Sequence, residues 1–559
     1  MKKQSFLAGA IILALGGFIT KGIGAIYKIP LTNILGTTGI GIYHLVFPVF
    51  TIMLTLSSSG ISSAINILVA KERIRHGRKN EFVYFRVAIV LTFLVSLFWS
   101  LLIVMLSKDI AYMQGNVNAE NCLIAIAPAV ILSSLVAVVR GYFQGIENMI
   151  PTSISMMIEQ LVKMMVGLIF AHYSLPYGVE YAVLGAVFGV TISEIIALII
   201  IVINFVIYKV RLDRNIVYYR ENYIVDYSKK QLHCIAVTYK PKNRQSGKYF
   251  KKVISYKQAF VNILKLAIPT TVVKIVLPLI SLLDSFIIIN LLVDTGITST
   301  TATAMYGIYS GIVASIISMA VIVISAITTA LIPKLNKCGN VDELNINVKF
   351  AFKVIIYVGL ILVSLYIINA SDIINILYGN TLNTIVFNEF EYSKKLLMVS
   401  SVSILYSALL HGCIVILQSI GKVTHTVFIM LGLMAIRFAV LYMLIKYGVG
   451  IFAVEMASSI YMGLCVVLLI LLIKKYVVFS VDSRFIVQGV GVSIVVLVLC
   501  GVLKYLLNMI FLPILSTIIC SICMVIIHLI FFIKSNIFSV NEKNMILKYR
   551  KKYILDTKK

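Results

Sequence analysis

Charged residues are scarce in this sequence. Only 13% of its 559 residues are charged and 60% are hydrophobic, and the mean hydropathy of +1.01 lies far outside the range of soluble domains. Apolar runs of about 20 residues recur along the chain, and each is long enough to cross a hydrocarbon core of about 30 Å. These features exclude a soluble globular protein and predict a polytopic helical membrane protein.

Catalytic and metal-binding motifs are also lacking. The sequence has no H-E-x-x-H, Walker or G-x-S-x-G motif, so no ATPase or hydrolase machinery is visible. Its eight cysteines are scattered, and the one close C-x-x-C pair, Cys520 and Cys523, lies in an apolar run without a histidine cluster. That setting predicts a buried apolar role for the pair. We therefore expect no enzyme activity, no cofactor and no metal.

The distribution of basic residues predicts the topology. Fourteen apolar spans fit the sequence, and lysine and arginine concentrate in alternate loops and in the C-terminal tail, which is the positive-inside pattern of cytoplasmic segments. The longest of these loops, 209–257, holds 13 basic and 3 acidic residues. Anionic lipids at the cytoplasmic face explain this charge without any nucleic-acid partner. We expect a multi-pass protein of the cell membrane with both termini cytoplasmic.

The spans form two related halves. At a constant offset of 274, Gln144 corresponds to Gln418 and Lys163 to Arg437, and both segments read as span, polar turn, span. Such weak repetition is typical of secondary transporters. We predict an all-α protein with an N-lobe of six helices at 1–208, a basic loop at 209–258, a C-lobe of six helices at 259–473, two further helices at 474–533 and a basic tail at 534–559. Strand-like runs in the loop, NIVYYRENYIV and LHCIAVTY, predict a small hairpin there.

Two motif blocks carry a family resemblance. The segments TKGIGAIYKIPLTNILGTTGIGIYHLVFPVFTIMLTLSSSGISSAINILVAKE at 20–72 and RGYFQGIENMIPTSISMMIEQLVK at 140–163 resemble the stage V sporulation protein B branch of the oligosaccharidyl-lipid flippases. This branch is related to lipid II flippases and, more distantly, to multidrug and toxic compound extrusion transporters. The resemblance implies fourteen helices in two lobes around a central cavity that opens alternately to each side. It also implies undecaprenyl-pyrophosphate-linked sugars or a peptidoglycan precursor as the substrate class.

Charged residues inside the predicted spans are candidate functional residues. A charge in a bilayer costs at least about 2.5 kcal/mol, so it usually faces a protein interior or a wet cavity. Lys21 and Lys28 are seven residues apart and share one face of the first helix. Glu159 and Lys163 are four residues apart and predict an intrahelical charge pair. The candidates are the substrate-binding cations Lys21, Lys28, Lys163, Lys274 and Arg437 and the structural acids Glu159, Glu194 and Asp284.

The cations outnumber the acids, which favours an anionic substrate. If all these groups are ionised, the interior has a net positive charge suited to a pyrophosphate. We expect the five cations to line one cavity, with Lys21 and Lys274 facing each other across it. The functional hypothesis is an alternating-access flippase for a polyprenyl-pyrophosphate-linked saccharide, serving spore cortex or cell-wall synthesis, with the cell-wall synthesis machinery as a candidate partner.

Two other functions are compatible with the composition. A cation-coupled multidrug exporter favours acidic residues in the first helix, whereas this helix has Lys21 and Lys28 and no acid. A non-transporting membrane scaffold could recruit partners through the basic loop and tail, but it gains nothing from intramembrane cations. Dispensable intramembrane cations would therefore favour the scaffold.

Overall fold

Lipid cannot satisfy backbone hydrogen bonds, so an apolar segment that crosses it must satisfy them internally as a helix. The computed structural model describes residues 6–74, 78–230, 254–336, 341–379, 381–382, 388–420, 422–477 and 483–534. Within these ranges the regular structure is helical and no strand occurs. The predicted all-α fold is confirmed.

The described ranges contain sixteen α-helices. They are α1 (Phe6–Leu54), α2 (Gly60–Ile74), α3 (Arg78–Met113), α4 (Glu120–Gly145), α5 (Ile150–Ser174), α6 (Val179–Lys230), α7 (Tyr256–Lys274), α8 (Val276–Asp294), α9 (Ser299–Gly307), α10 (Ala314–Asn336), α11 (Val341–Tyr378), α12 (Glu389–Ser419), α13 (Val423–Lys446), α14 (Phe452–Lys474), α15 (Ser483–Ile510) and α16 (Pro513–Lys534). Two π-helical turns, Thr55–Ser59 and Ile308–Val313, join α1 to α2 and α9 to α10.

A sharp break at Gly36 divides α1 into the first two spans. Gly36 has φ 68° and ψ −178°, a left-handed conformation that costs glycine little and a residue with a Cβ much more. Thirteen segments in the described ranges are long and apolar enough to cross a membrane, and Leu15–Arg73 counts as one of them. Because Gly36 splits this segment, the structure agrees with the fourteen predicted spans.

The seventh span is also broken, between α7 and α8. Ala259, Ile263 and Ala267 of α7 belong to a buried apolar cluster formed with α2, α3, α4 and α6. The next half, α8, instead contributes Asp284 to an ion pair with Arg437 of α13. The first half of this span therefore packs against N-lobe helices, and the second half reaches into the C-lobe.

The prediction of a hairpin in the basic loop is wrong for the first of its two strands. NIVYYRENYIV, residues 215–225, lies within α6, which continues from the sixth span to Lys230. A helix already started by the apolar span propagates at one hydrogen bond per residue, which outweighs a weak strand pattern. The second run, LHCIAVTY, lies outside the described residues.

Hydrogen bonds join the two lobes at the end of the bundle near Gly36. Thr37 donates to Oε1 of buried Glu389 at 2.8 Å, Asn116 donates to Thr303 at 3.0 Å, and Gln114 donates to Ser285 at 3.0 Å. With the topology predicted from charge, this end faces the cell exterior. The lobes are therefore joined by hydrogen bonds at the end of the bundle that holds Gly36.

Candidate functional site

A cavity of about 490 Å³ lies between the two lobes. Its wall is formed by both halves of α1 together with α5, α10 and α12. The polar side chains on this wall are Lys21, Tyr27, Lys28, Tyr43, His44, Gln160, Lys163, Ser318, Ser325 and His411. None of the aspartates and glutamates in the described ranges lines it. The wall is therefore basic and rich in hydrogen-bonding groups.

Three of the five predicted cations meet at this cavity: Lys21, Lys28 and Lys163. The seven-residue spacing in α1 places the first two on the same wall. Lys163 comes from α5 and sits 4.7 Å from the centroid of the Phe47 ring, a cation–π contact that is weaker than an ion pair. None of these three lysines has an ion-pair partner among the described residues. The cavity wall thus holds three lysines that form no ion pair with a carboxylate of the described residues.

A second cavity, of about 390 Å³, adjoins the first. His44 and Phe47 line both, and Thr51, Asp284, Tyr306, Tyr309 and Ser310 supply the other polar or aromatic groups of the second. Its one lining carboxylate belongs to Asp284. The two cavities together extend from the N-lobe cations towards the C-lobe.

The predicted cation Arg437 is not free to bind a substrate. Its Nη1 and Nη2 donate to the two carboxylate oxygens of Asp284 at 2.6 and 2.9 Å, and both side chains are buried. Nη2 also donates to Ser458 at 3.0 Å. A fork-to-fork pair of this geometry satisfies both ions. The expectation that Arg437 lines the cavity is corrected, because Arg437 forms a buried ion pair with Asp284 of α8 instead.

Lys274 does not face Lys21 across the cavity either. Its Nζ donates to the carbonyl oxygen of Ser59 at 3.1 Å and to Oγ of Ser63 at 2.7 Å. These partners belong to the α1–α2 segment of the N-lobe, against which α7 packs. Lys274 lines neither cavity. The expected position is corrected: the side chain bridges α7 to the N-lobe.

Glu159 pairs with a residue that the sequence analysis did not select. Its Oε2 accepts from Arg140 Nη2 at 2.7 Å, with each side chain 15% exposed, and Arg140 also donates to Ser155. The intrahelical pair with Lys163 is therefore corrected. Because Arg140 of α4 neutralises the carboxylate, Lys163 is left to face the cavity. Glu194 is buried nearby, within electrostatic reach of both groups of the pair.

Removing Arg140 is expected to destabilise the N-lobe more than removing Lys163. Arg140→Ala leaves the largely buried Glu159 carboxylate without its ion-pair partner, whereas Lys163→Ala deletes a cation that has no ion-pair partner within the described part of the chain. A double-mutant cycle on Arg140 and Glu159, read by thermal unfolding in detergent, should show coupling of about 1 kcal/mol or more. Arg73→Ala, an exposed arginine at the end of α2, is the control. Energies that simply add would contradict the pair.

The two lobes differ at their related positions. Lys163 of α5 and Arg437 of α13 correspond in the internal repeat, but their neighbours have different charges. Lys163 lies close enough to Lys28 for the two to repel each other, whereas Arg437 is neutralised by Asp284. The N-lobe therefore supplies the positive charge that faces the cavity. At the corresponding position of the C-lobe, Asp284 neutralises the charge of Arg437.

Two histidines on the cavity wall were missed by the sequence analysis. His44 lines both cavities, and its Nε2 is buried without a hydrogen-bond partner among the described residues. His411 lines the first cavity from α12. Both lie inside predicted apolar spans. An ionisable residue in a span is itself a signal of a functional site, and applying that criterion to histidine would have found them.

Fold and cavity together define a multi-pass α-helical membrane protein with a basic site between two lobes. Sequence comparison is more specific: the chain belongs to the polysaccharide biosynthesis protein family, whose profile matches residues 6–338. It is 23% identical over 390 residues to stage V sporulation protein B of Bacillus subtilis, covering 68% of each chain. The family resemblance seen in the sequence is confirmed.

Three further comparisons concern flippases and a multidrug resistance transporter. The lipid II flippase MurJ of Bacillus subtilis is 23% identical over 172 residues, which covers 28% of this chain and 30% of the relative. A solved structure of lipid II flippase MurJ in an inward closed conformation superimposes with a TM-score of 0.67 at 15% identity, covering 96% of this chain and all of that one. An inward-facing multidrug resistance transporter of the MATE family gives a TM-score of 0.58 at 14% identity, covering 81% of this chain and 93% of that one. These structural likenesses establish the shared fold.

Proposed function

We propose that this protein is a flippase that carries a polyprenyl-pyrophosphate-linked saccharide across the cytoplasmic membrane. The observation that carries the proposal is the meeting of Lys21, Lys28 and Lys163 on one cavity wall that has no carboxylate. Three cations left without counter-ions inside a membrane protein are costly unless a ligand supplies the missing negative charge. The substrate is therefore expected to be an anion.

A pyrophosphate suits this wall better than a single carboxylate does. It spreads negative charge over several oxygens, so separate ammonium groups can each form a charge-assisted hydrogen bond. Lysine presents a compact charge with three donors on a flexible stem and can follow a headgroup that moves through the cavity. The tyrosine, glutamine, serine and histidine side chains on the same wall offer hydrogen bonds to the attached saccharide.

The polyprenyl chain remains in the bilayer while the headgroup crosses. Withdrawing an alkyl chain from lipid costs about 0.8 kcal/mol for each methylene, so the free-energy cost for a long polyprenyl chain is large. The cavity, at about 490 Å³, is also small for such a chain. The headgroup alone passes between the lobes. No bond is made or broken, and the contacts joining the lobes near Gly36 form the closed side of an alternating-access cycle.

The exporter alternative is disfavoured by the same geometry. Export of cationic drugs coupled to protons or sodium needs an available carboxylate, and the first cavity has none on its wall. Asp284 lines the second cavity but already binds Arg437 through both oxygens. The names of the relatives, a sporulation protein and a lipid II flippase, support a role in spore cortex or cell-wall synthesis.

The orientation that this function requires is the one predicted from the basic loops. Both termini and residues 209–257 are cytoplasmic, so the headgroup enters from the side on which polyprenyl-linked precursors are made. A cysteine introduced at position 230 should resist impermeant thiol reagents applied to intact cells and react after lysis. Labelling from outside would reverse the orientation and the proposed direction of transport.

A reconstituted flipping assay tests the function. The full chain is incorporated into liposomes with fluorescent lipid II, a fluorescent polyprenyl-monophosphate sugar and a fluorescent phosphatidylcholine. Accessibility of each label to an impermeant quencher reports its transfer between leaflets. We expect transfer of lipid II well above that in protein-free liposomes, slower transfer of the monophosphate and none of phosphatidylcholine. Failure to move either polyprenyl lipid, in protein that remains folded, would falsify the proposal.

A further inference from the structure

A groove of about 470 Å³ runs along the outside of the bundle between α3 and α7. Val87, Val90, Leu91 and Leu94 form its α3 side, and Phe260 lies on its α7 side. Val90, Leu94 and Phe260 are exposed at the protein surface, which in a membrane-spanning chain is the surface that faces lipid. The groove is thus an apolar channel open to the bilayer, and it is separate from the cavities between the lobes.

One end of this groove carries an unusual cation, Arg86. It lies eight residues after the start of α3, it is exposed, and it has no ion-pair partner among the described residues. The other intramembrane charges described above line a cavity or are held by ion pairs or hydrogen bonds to other helices. A charged side chain on the lipid-facing surface of a span needs an anion or water within its reach. Arg86 therefore points to an anionic ligand from the bilayer itself.

A second cation and an aromatic residue stand at the same end. Lys257 and Tyr256 line the groove from the first turn of α7, and both are exposed. Among the described residues, no acidic side chain lines the groove. Tyrosine is enriched at the level of lipid headgroups, and basic pockets between helices on the cytoplasmic side bind anionic headgroups. This end is the one next to the basic loop 209–257, which is predicted to be cytoplasmic.

We propose that this groove is a binding site for an anionic phospholipid of the cytoplasmic leaflet. The headgroup phosphate binds Arg86 and Lys257, and an acyl chain packs along Val90, Leu94 and Phe260. The charge of the site matches a phosphatidylglycerol-type headgroup, and the apolar channel continues directly from it into the bilayer core. The site is independent of the flippase proposal, because none of its residues lines the central cavities.

The position of the groove gives the bound lipid a structural consequence. Two hydrogen bonds already connect α7 and the residues just before it to α3. Asn262 donates to Tyr84 at 2.9 Å, and the backbone N–H of Ile254 donates to Asn80 at 3.0 Å. A lipid wedged beside them contacts both α3 and α7. It would therefore strengthen the attachment of α7 to the N-lobe, and anionic lipid should raise the thermal stability of the protein.

Native mass spectrometry of the full chain tests the site. The protein is titrated with phosphatidylglycerol and with phosphatidylcholine of identical acyl chains. Wild-type protein should bind at least one phosphatidylglycerol more tightly than any phosphatidylcholine. The variant R86Q/K257Q should weaken that binding roughly 25-fold, or roughly five-fold for each cation, the equivalent of about 1 kcal/mol each.

Two further variants separate this site from general surface charge. K474Q/K475Q removes two exposed lysines from the end of α14, which is predicted to lie on the same side of the membrane, and should keep the wild-type affinity. Val90→Trp fills the channel while keeping both cations, and should also weaken phosphatidylglycerol binding. Equal binding of the two lipids, equal losses in the two double variants, or a copurifying membrane protein lost on R86Q/K257Q substitution would each overturn the proposal.

Discussion

Neutralising Lys28 or Lys163 with glutamine should weaken binding of the polyprenyl-pyrophosphate headgroup by ten-fold or more. Each lysine faces the cavity without a carboxylate partner, so its charge is available to the ligand. A hydrogen bond to a charged group contributes about 1.5–3 kcal/mol, which corresponds to roughly ten- to hundred-fold in affinity. Lys21→Gln should also weaken binding of the headgroup. In a strain that lacks this protein, the variant should fail to restore function or restore it only weakly.

The same variants should fold as well as the wild type. Lys28 and Lys163 lie close enough to repel each other, so removing either relieves that repulsion, and Glu159 keeps its ion pair with Arg140. Melting temperatures in detergent should therefore stay level or rise while flipping of lipid II falls. Lys209→Gln, at an exposed position on α6 away from both cavities, is the matched control and should keep full transport. If the Lys21→Gln, Lys28→Gln and Lys163→Gln variants all keep full flipping activity, the proposed mechanism is wrong.

The fold could be predicted from the sequence because the bilayer restricts the choices. An apolar segment of sufficient length must be a helix, so hydropathy alone locates the spans, and Gly36 marks the turn between the first two. How the two C-terminal helices, α15 and α16, pack against the C-lobe could not be predicted. Lys504 of α15 pairs with Asp372 of α11 at 2.9 Å, and this buried contact docks the two C-terminal helices against the C-lobe. Residues 132 positions apart reveal no such pairing in a single sequence.

The site was only partly predictable for a related reason. Periodicity within one helix placed Lys21 and Lys28 on the same wall, and depth in the span indicated Lys163. Which cations are neutralised depends on contacts between helices. Arg140 sits near the end of the fourth span and resembles an ordinary cytoplasmic-side arginine, yet it captures Glu159 from α5. Asp284 captures Arg437 across 153 positions. Sequence periodicity describes a helix face but not the neighbour against which that face packs.

Breaking the buried pair between Asp284 and Arg437 should be far more damaging than removing any cavity lysine. The arginine and aspartate side chains are 3% and 10% exposed. Removing one partner of such a pair leaves an uncompensated buried charge and typically costs about 3–5 kcal/mol. A loss of that size is a large part of the stability of a typical protein, about 5–15 kcal/mol. Arg437→Gln and Asp284→Asn should each lower the melting temperature and the yield of monodisperse protein.

The double variant Asp284→Leu/Arg437→Met should recover most of that loss. Two apolar side chains of similar volume remove both desolvated charges at once, a change that is often neutral or stabilising in buried sites. Because Lys21, Lys28 and Lys163 remain in place, the double variant should also keep lipid II flipping, which separates the C-lobe pair from the N-lobe cations. Fluorescence-detected size exclusion after heating measures the first effect and the liposome assay the second. A stable double variant that no longer flips would instead place Arg437 among the groups that bind the substrate, because its charge would then be needed for more than holding α8 against α13.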